Sequence, residues 1–165
     1  MKKTKSSALE LAQGGIIAAL YVVLTLVFAP ISFGEAQLRV AEALTILPMF
    51  TSAAVPGLFV GCIIANMLGG AVLWDVVFGS LATLLGALGS YLLRKKRWLV
   101  PFPPIIANTV IIPFVLKFAY GIDLPIPMLM LYILLGEIGG CYVLGQLLAS
   151  VLMRHKNTLF KEDLQ

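Results

Sequence analysis

Long apolar stretches, interrupted by three short basic blocks, are the feature of this 165-residue sequence that most constrains its fold. The blocks cover residues 2–5, 94–97 and 154–161, and they hold ten of the twelve Lys and Arg residues. Hydrophobic residues make up 60% of the chain and charged residues 12%, against about 45–50% and about 25% in soluble domains. A water-soluble globule needs more polar surface than this. The sequence therefore predicts an integral membrane protein whose solvent is lipid.

The basic blocks predict how the chain crosses the bilayer, because cationic loops stay in the cytoplasm. Residues 101–118 and 128–153 then form two spans between the second and third blocks. Residues 8–29 and 71–93 form two more before the second block. Residues 38–70 lie between the spans 8–29 and 71–93. They must contribute an even number of spans, because the first and second basic blocks are on the same side of the membrane.

As one helix, the interval 38–70 would be about 50 Å long, too long for a hydrocarbon core of about 30 Å. It also contains Pro48 and Pro56, which disrupt helix interiors. Two short spans, 38–50 and 54–70, solve both problems, and we expect protein or a cavity to shelter them. The prediction is an all-α integral membrane protein. It is a compact bundle of six transmembrane helices in a single domain over residues 1–165, with cytoplasmic tails at 1–7 and 154–165.

Several classes of function are disfavoured. The sequence has no G-x-x-x-x-G-K-[ST] phosphate loop and no H-E-x-x-H motif, and His155 is its single histidine. We therefore expect no enzyme, no metal site and no cofactor. Because apolar spans separate the basic blocks, they do not form the continuous basic face of a nucleic-acid binder. Cys62 and Cys141 lie in apolar runs and are interpreted as small buried hydrophobes rather than a redox pair.

A few polar side chains lie inside the predicted spans, where each is costly and is therefore a candidate for function. They are Arg39, Glu42, Asp75, Lys117 and Glu137, with Asn66 and Asn108. Nearly all fall in the outer half of the bundle, which predicts an outward-open cup rather than a channel lined by polar groups throughout. Acidic groups outnumber basic ones, and this favours a cationic or donor-rich ligand.

Each candidate also has a purely structural interpretation. Arg39 and Glu42 are spaced to pair with each other, and Lys117 can extend to the outer headgroups. Asp75 can cap its helix, and Glu137 can be a protonated structural carboxyl. The two asparagines can hydrogen-bond between helices. Trp74 can belong to the interfacial aromatic belt or stack on a flat ring.

Small residues four positions apart let membrane helices pack closely. The pairs Gly57/Gly61 and Gly136/Gly140 are interpreted as packing inside the bundle. A stripe in the first span could instead dock another membrane subunit. It consists of Ala8, Ala12, Gly15 and Ala19.

Five stretches resemble the QueT family, substrate-binding S components of energy-coupling factor (ECF) vitamin transporters. They are 30–48 (PISFGEAQLRVAEALTILP), 56–70 (PGLFVGCIIANMLGG), 74–88 (WDVVFGSLATLLGAL), 103–108 (PPIIAN) and 136–145 (GEIGGCYVLG). The resemblance covers roughly residues 11–153. It implies an S component in a prokaryotic cell membrane that captures a queuosine precursor, a 7-deazaguanine such as preQ1 or queuine. Its partners would be a transmembrane coupling subunit and two cytoplasmic ATPases, with the first-span stripe as the docking surface.

Such a ligand suits the polar residues. We expect Glu137 and Asp75 to accept the ring donors and any cationic aminomethyl group, with Arg39 and Glu42 also in the site. Either Asn66 or Asn108 would contact the carbonyl edge. Either Trp74 or Phe33 would cover the ring. The alternatives are a stand-alone small secondary transporter or channel for a cationic molecule, a purely structural membrane subunit and, third, a membrane enzyme.

Overall fold

The computed structural model describes residues 7–32 and 37–155, and every regular element in those ranges is helical. In chain order the elements are α1 (Ser7–Val27), α2 (Ala29–Ser32), the 3-10 helix η1 (Val40–Met49), α3 (Ala54–Leu68), α4 (Leu73–Leu92), the short 3-10 helix η2 (Arg97–Leu99), α5 (Phe102–Phe118), α6 (Ile126–Glu137), a π-helical segment (Ile138–Leu144) and α7 (Gly145–Arg154).

Four helical stretches of the described chain are long and apolar enough to cross a membrane. They are Ala8–Val27, Leu73–Leu92, Arg97–Phe118 and Ile126–Arg154. Two shorter apolar helices, η1 and α3, lie between the first and second of these. The predicted all-helical fold is therefore confirmed, with four candidate spans, and the two segments predicted to be short are short helices. The count of six spans stays a prediction.

The helix η1 forms the centre of the bundle. It packs against α1, α3, α4, the π-helical segment and α7, and all of residues 41–48 are buried. A 3-10 helix rises about 2.0 Å per residue, so its ten residues extend about 20 Å, less than the hydrocarbon thickness of about 30 Å. As expected for a short segment, surrounding helices cover it, so its polar groups do not meet lipid.

Small residues bring the backbones of α1 and α3 into contact. A Cβ atom on Gly57 would lie 2.7 Å from the carbonyl oxygen of Gly14, and one on Gly61 would lie 3.0 Å from Ala18. The same arrangement joins α6 to the chain before η1, because Gly136 packs directly on the carbonyl group of Gln37. These contacts confirm the packing interpretation of the glycine pairs.

Hydrogen bonds show which helix ends lie together. Thr51 donates to Gln13 at 3.0 Å, and Ser90 donates to the carbonyl group of Val100 at 2.7 Å. Arg97 binds the side chain and carbonyl group of Gln146 at 2.7 and 2.9 Å. The end of the bundle at which these contacts lie is here called the basic end, since residues 94–97 lie there.

The last helical stretch changes its geometry where it faces η1. The π-helical segment begins at Ile138, directly after Glu137. Such segments are rare and are often found at functional sites. Gly140 in this segment packs against the carbonyl group of Arg39 and the Cβ atom of Glu42. The π-helical segment thus packs against Arg39 and Glu42, two buried ionisable residues of the core.

Candidate functional site

Two glutamates from different elements meet in the core. Tyr21 of α1 donates a 2.5 Å hydrogen bond to Glu42 of η1, and Cys141 donates a 3.0 Å bond to Glu137 of α6. The Cys141 sulfur also lies 3.9 Å from Glu42, and Thr45 donates to that sulfur at 3.5 Å. These five residues, here called the glutamate cluster, are 0–6% exposed.

A second group surrounds Asp75 at the start of α4. The Arg39 guanidinium lies 3.8 Å from its carboxylate, and the Tyr120 hydroxyl donates to it at 2.9 Å. The Asn66 amide nitrogen lies 3.4 Å from the Asp75 carbonyl oxygen. We call Arg39, Asn66, Asp75 and Tyr120 the aspartate cluster. It lies towards the end of the bundle opposite the basic end.

Tyr120 lies in the connection between α5 and α6, beyond the helical spans. Its hydroxyl accepts the Val72 N–H at 3.3 Å while donating to Asp75. Partial burial and the nearby Asp75 carboxylate raise the pKa of Tyr120 to about 12. The phenol therefore stays protonated at neutral pH and remains a donor to Asp75.

Arg39 connects the two clusters. Its carbonyl group packs on Gly140, beside the glutamate cluster, and its side chain reaches Asp75. A Cβ atom on Gly140 would lie 2.8 Å from that carbonyl oxygen. The glycine is therefore needed for this close approach, and both clusters depend on the placement of one residue at the start of η1.

Several buried polar atoms near the clusters have no hydrogen-bond partner among the described residues. They include the Asn66 amide oxygen and one Asp75 carboxylate oxygen, and both residues are 1% exposed. Because buried polar groups are normally satisfied, these two atoms are available to a ligand. The Asn108 side chain, also 1% exposed, hydrogen-bonds to Glu137.

Most of the predicted site residues are buried. Five belong to the two clusters, namely Arg39, Glu42, Asn66, Asp75 and Glu137, and Asn108 lies next to Glu137. One partner of Arg39 is Asp75, which lies 36 positions away. Lys117 instead pairs with Asp123 at 3.2 Å in the connection after α5. Phe33 lies outside the described residues, so its ring contact stays a prediction.

Trp74 is not part of either cluster. Its side chain is 61% exposed and stacks on Phe78 at 5.8 Å. It lines an open apolar groove of about 450 Å³ together with Phe114 and Phe118. This position fits the aromatic-belt interpretation, and stacking on a ligand ring stays a prediction.

Sequence reasoning missed Tyr21, Thr45, Cys141 and Tyr120. Cys141 was interpreted as a small buried hydrophobe; it is free and buried, yet it hydrogen-bonds within the glutamate cluster. Its spacing of four residues from Glu137 places both on one helix face. Tyr21 follows Gly14 and Ala18 on the packed face of α1. Both spacings are signals in the sequence, whereas nothing local indicates Tyr120.

All four residues of the small-residue stripe in α1 are exposed. Beside them, a groove of about 570 Å³ lies between α1 and the start of α3. Gly15 of the stripe lines it, together with Ala18, Pro56 and Gly57. The packed face of α1 is thus Gly14, Ala18 and Tyr21, and the stripe lies on another face.

Comparisons with known proteins agree with this picture. The family model described as "QueT transporter" matches residues 11–154. The queuosine precursor transporter QueT of Lactococcus lactis subsp. cremoris (strain MG1363) is 38% identical over 87 residues, which are 51% of this chain and 49% of that relative. The match thus spans about half the length of the curated relative. No solved structure matches the chain significantly. The family resemblance seen in the sequence is confirmed, and the chain belongs to the QueT transporter family.

Proposed function

We propose that the chain is the substrate-capture subunit, or S component, of an ECF-type ATP-driven importer. Its ligand is a queuosine precursor, a 7-deazaguanine such as preQ1 or queuine. The observation that carries the proposal is the pair of buried, acceptor-rich clusters inside an otherwise apolar bundle of a QueT-family chain. The name of the Lactococcus lactis relative supports the ligand class. The chain itself is then a binding subunit and not an enzyme.

The membrane arrangement that we propose has six spans, with η1 and α3 as the short second and third spans. Residues 94–97 lie at the basic end, where Arg97 hydrogen-bonds to Gln146 of α7. Phe50 packs with Val100 at the same end, and the neighbouring Thr51 donates to Gln13 of α1. The positive-inside rule makes that end cytoplasmic. Both termini are then cytoplasmic, and the aspartate cluster lies towards the outer face of a prokaryotic cell membrane.

The polar groups suit a 7-deazaguanine. Its ring N–H and amino group are adjacent donors that a carboxylate accepts in pairs, and Asp75 and Glu137 supply carboxylates from two sides. Asn66 or Asn108 provides the amide that contacts the carbonyl edge of the ring. Buried hydrogen bonds of this kind discriminate strongly, because a ligand that lacks the group leaves protein atoms unsatisfied.

The exposed stripe of α1 is the proposed contact with the transmembrane coupling subunit, which in turn joins two cytoplasmic ATPases. Close helix packing needs small side chains over several turns, and Ala8, Ala12, Gly15 and Ala19 provide them on an exposed face. The adjoining groove adds room for side chains of the partner helix.

The test is ligand titration of the purified, detergent-solubilised chain. Glu137→Ala should weaken binding of the preferred deazaguanine by well over tenfold, because it leaves ligand donors unpaired in a closed site. Asp123→Ala is the matched control, since that carboxylate is fully exposed, and it should bind as the unmodified chain does. Near-normal affinity of the Glu137 variant would refute the assignment of this residue.

A further inference from the structure

Exposed basic side chains from two parts of the chain lie together at the basic end of the bundle. Residues 94–96 are exposed in the connection after α4, and Arg154 is exposed at the end of α7. Arg97 joins the two parts, because its guanidinium donates to the Gln146 carbonyl group at 2.9 Å and to the Ser150 hydroxyl at 2.6 Å. Arg154 follows Ser150 by four positions and therefore lies on the same face of α7. The exposed cations are here called the cationic patch, and they are Arg94, Lys95, Lys96 and Arg154.

The described part of the protein does not compensate the charges of the cationic patch. None of the four side chains forms an ion pair with a described carboxylate, since the ion pairs there are made by Arg39 and Lys117. Arg94 is held in place by Tyr91, whose ring centre lies 4.0 Å from the guanidinium and whose carbonyl oxygen accepts a 3.3 Å bond from Nη1. Because a guanidinium has five donors, most donors of Arg94 remain for an anion.

Exposed apolar side chains adjoin the cationic patch. Leu92 is 78% exposed, Trp98 is 62% exposed and Phe102 is 46% exposed. Leu92 ends the candidate span Leu73–Leu92, and the other two side chains belong to the start of the next candidate span, Arg97–Phe118. The patch thus lies where two spans leave the hydrocarbon core, at the depth of the phospholipid headgroups, and tryptophan is enriched at this depth.

We propose that the cationic patch binds the phosphate group of an anionic phospholipid, while Leu92, Trp98 and Phe102 contact the acyl chains of that lipid. Each basic side chain at the membrane surface strengthens the binding of an anionic headgroup by about fivefold. A lipid fits this surface better than an acidic protein does, because uncompensated cations and exposed apolar side chains adjoin at headgroup depth. The hydrogen bonds of Arg97 hold both parts of the patch beside one headgroup.

Brominated phospholipids, which quench tryptophan fluorescence on contact, test the inference. The chain has two tryptophans, and Trp74 lies at the start of α4, away from the basic end. The Trp74→Phe chain in phosphatidylcholine vesicles therefore reports from Trp98 alone. At equal low mole fraction, brominated phosphatidylglycerol should bind beside Trp98 about tenfold more tightly than brominated phosphatidylcholine with the same acyl chains. Added salt should reduce this preference, because it screens exposed charges.

One variant and two controls locate the binding surface. Lys95→Gln combined with Lys96→Gln removes two charges at exposed positions, and it should lower the preference for the anionic lipid to about twofold or less. Lys117→Gln removes a cation from the end of α5 opposite the basic end, and it should leave the preference unchanged. In Trp98→Phe, Trp74 is the reporter, and its quenching should show a preference of about twofold or less.

Equal quenching of Trp98 by the two brominated lipids would overturn the inference and favour an acidic protein surface as the partner of the cationic patch. A preference that persists in the double lysine variant, or that is equally strong at Trp74, would also overturn it. Quenching by brominated phosphatidylcholine serves as the internal control, because it shows whether Trp98 of each variant still contacts lipid. These measurements use no transported ligand, so their outcome leaves the proposed function unaffected.

Discussion

Replacing Gly136 with alanine should damage both stability and ligand binding. A Cβ atom at this position would overlap the carbonyl group of Gln37. That backbone cannot move freely, because the next residue, Leu38, donates its N–H to the carbonyl group of Ile31 at 2.8 Å. Any displacement also shifts Arg39, which joins the two clusters. The substitution therefore tests whether close packing of α6 positions the site.

The expected cost follows from two opposing effects. Overpacking against a fixed backbone costs about 3 kcal/mol, the upper part of the usual range, and replacing a helical glycine with alanine returns about 1 kcal/mol. The net loss of about 2 kcal/mol is roughly a 30-fold change in the folding equilibrium. It corresponds to a fall in Tm of about 4–8 °C for a chain of this size.

Thermal unfolding of the detergent-solubilised chain, followed by circular dichroism, measures this effect, and ligand titration measures its consequence for the site. Gly15→Ala is the matched control, because no atom lies within 4 Å of its added Cβ; its Tm should be unchanged or slightly higher. Equal behaviour of the two variants, or a Gly136→Ala variant as stable as the original chain, would refute the packing argument.

Three further predictions concern other parts of the molecule. Ala12→Leu should block assembly with the coupling subunit in a pull-down yet leave ligand affinity unchanged. Val110→Leu, on an exposed face of α5, should assemble normally. Assembly of both variants would show that the α1 stripe is not the docking surface. Arg97→Lys should lower Tm by about 4–8 °C, since lysine cannot reproduce the bonds to Gln146 and Ser150. The control Lys95→Arg, at an exposed position of the same block, should leave Tm unchanged; equal Tm values for the two variants would contradict this. Because the pKa of Tyr120 is about 12 in the fold and about 10 when unfolded, its contribution to stability is complete below pH 10 and is lost as the pH rises through 12. Tm should therefore fall more steeply between pH 10 and 12 in the unmodified chain than in Tyr120→Phe, and parallel curves would contradict the assignment.

The fold class follows from the sequence because the cost of exposing charge to lipid is a property of composition and spacing. The same reasoning identifies the buried polar residues, since a carboxylate such as Glu137 is costly in an apolar membrane helix and is therefore a candidate for function. The short segment at η1 was also predictable from Pro48 and the limited thickness of the bilayer. Its 3-10 geometry was not, because such helices rarely extend beyond four residues.

The partners of the polar residues were less predictable, because they are set by tertiary packing. Arg39 and Glu42 are well spaced for an ion pair on one helix, yet the arginine reaches Asp75 on α4. Cys141 and Tyr21 have apolar neighbours in sequence and join the glutamate cluster only when α1, η1 and α6 pack together. The direction of Trp74 depends on the rotation of α4, which an almost uniformly apolar helix does not fix by its pattern.

Uptake of preQ1 into proteoliposomes tests the central claim most directly, because a capture subunit binds its ligand alone but needs ATPase partners to move it. Vesicles would contain the chain alone, or the chain with its coupling subunit and two ATPases, with and without internal ATP. We predict accumulation only in the complete, ATP-loaded vesicles, and its loss in Glu137→Ala. Accumulation by the chain alone would contradict the account and identify a stand-alone secondary transporter or channel.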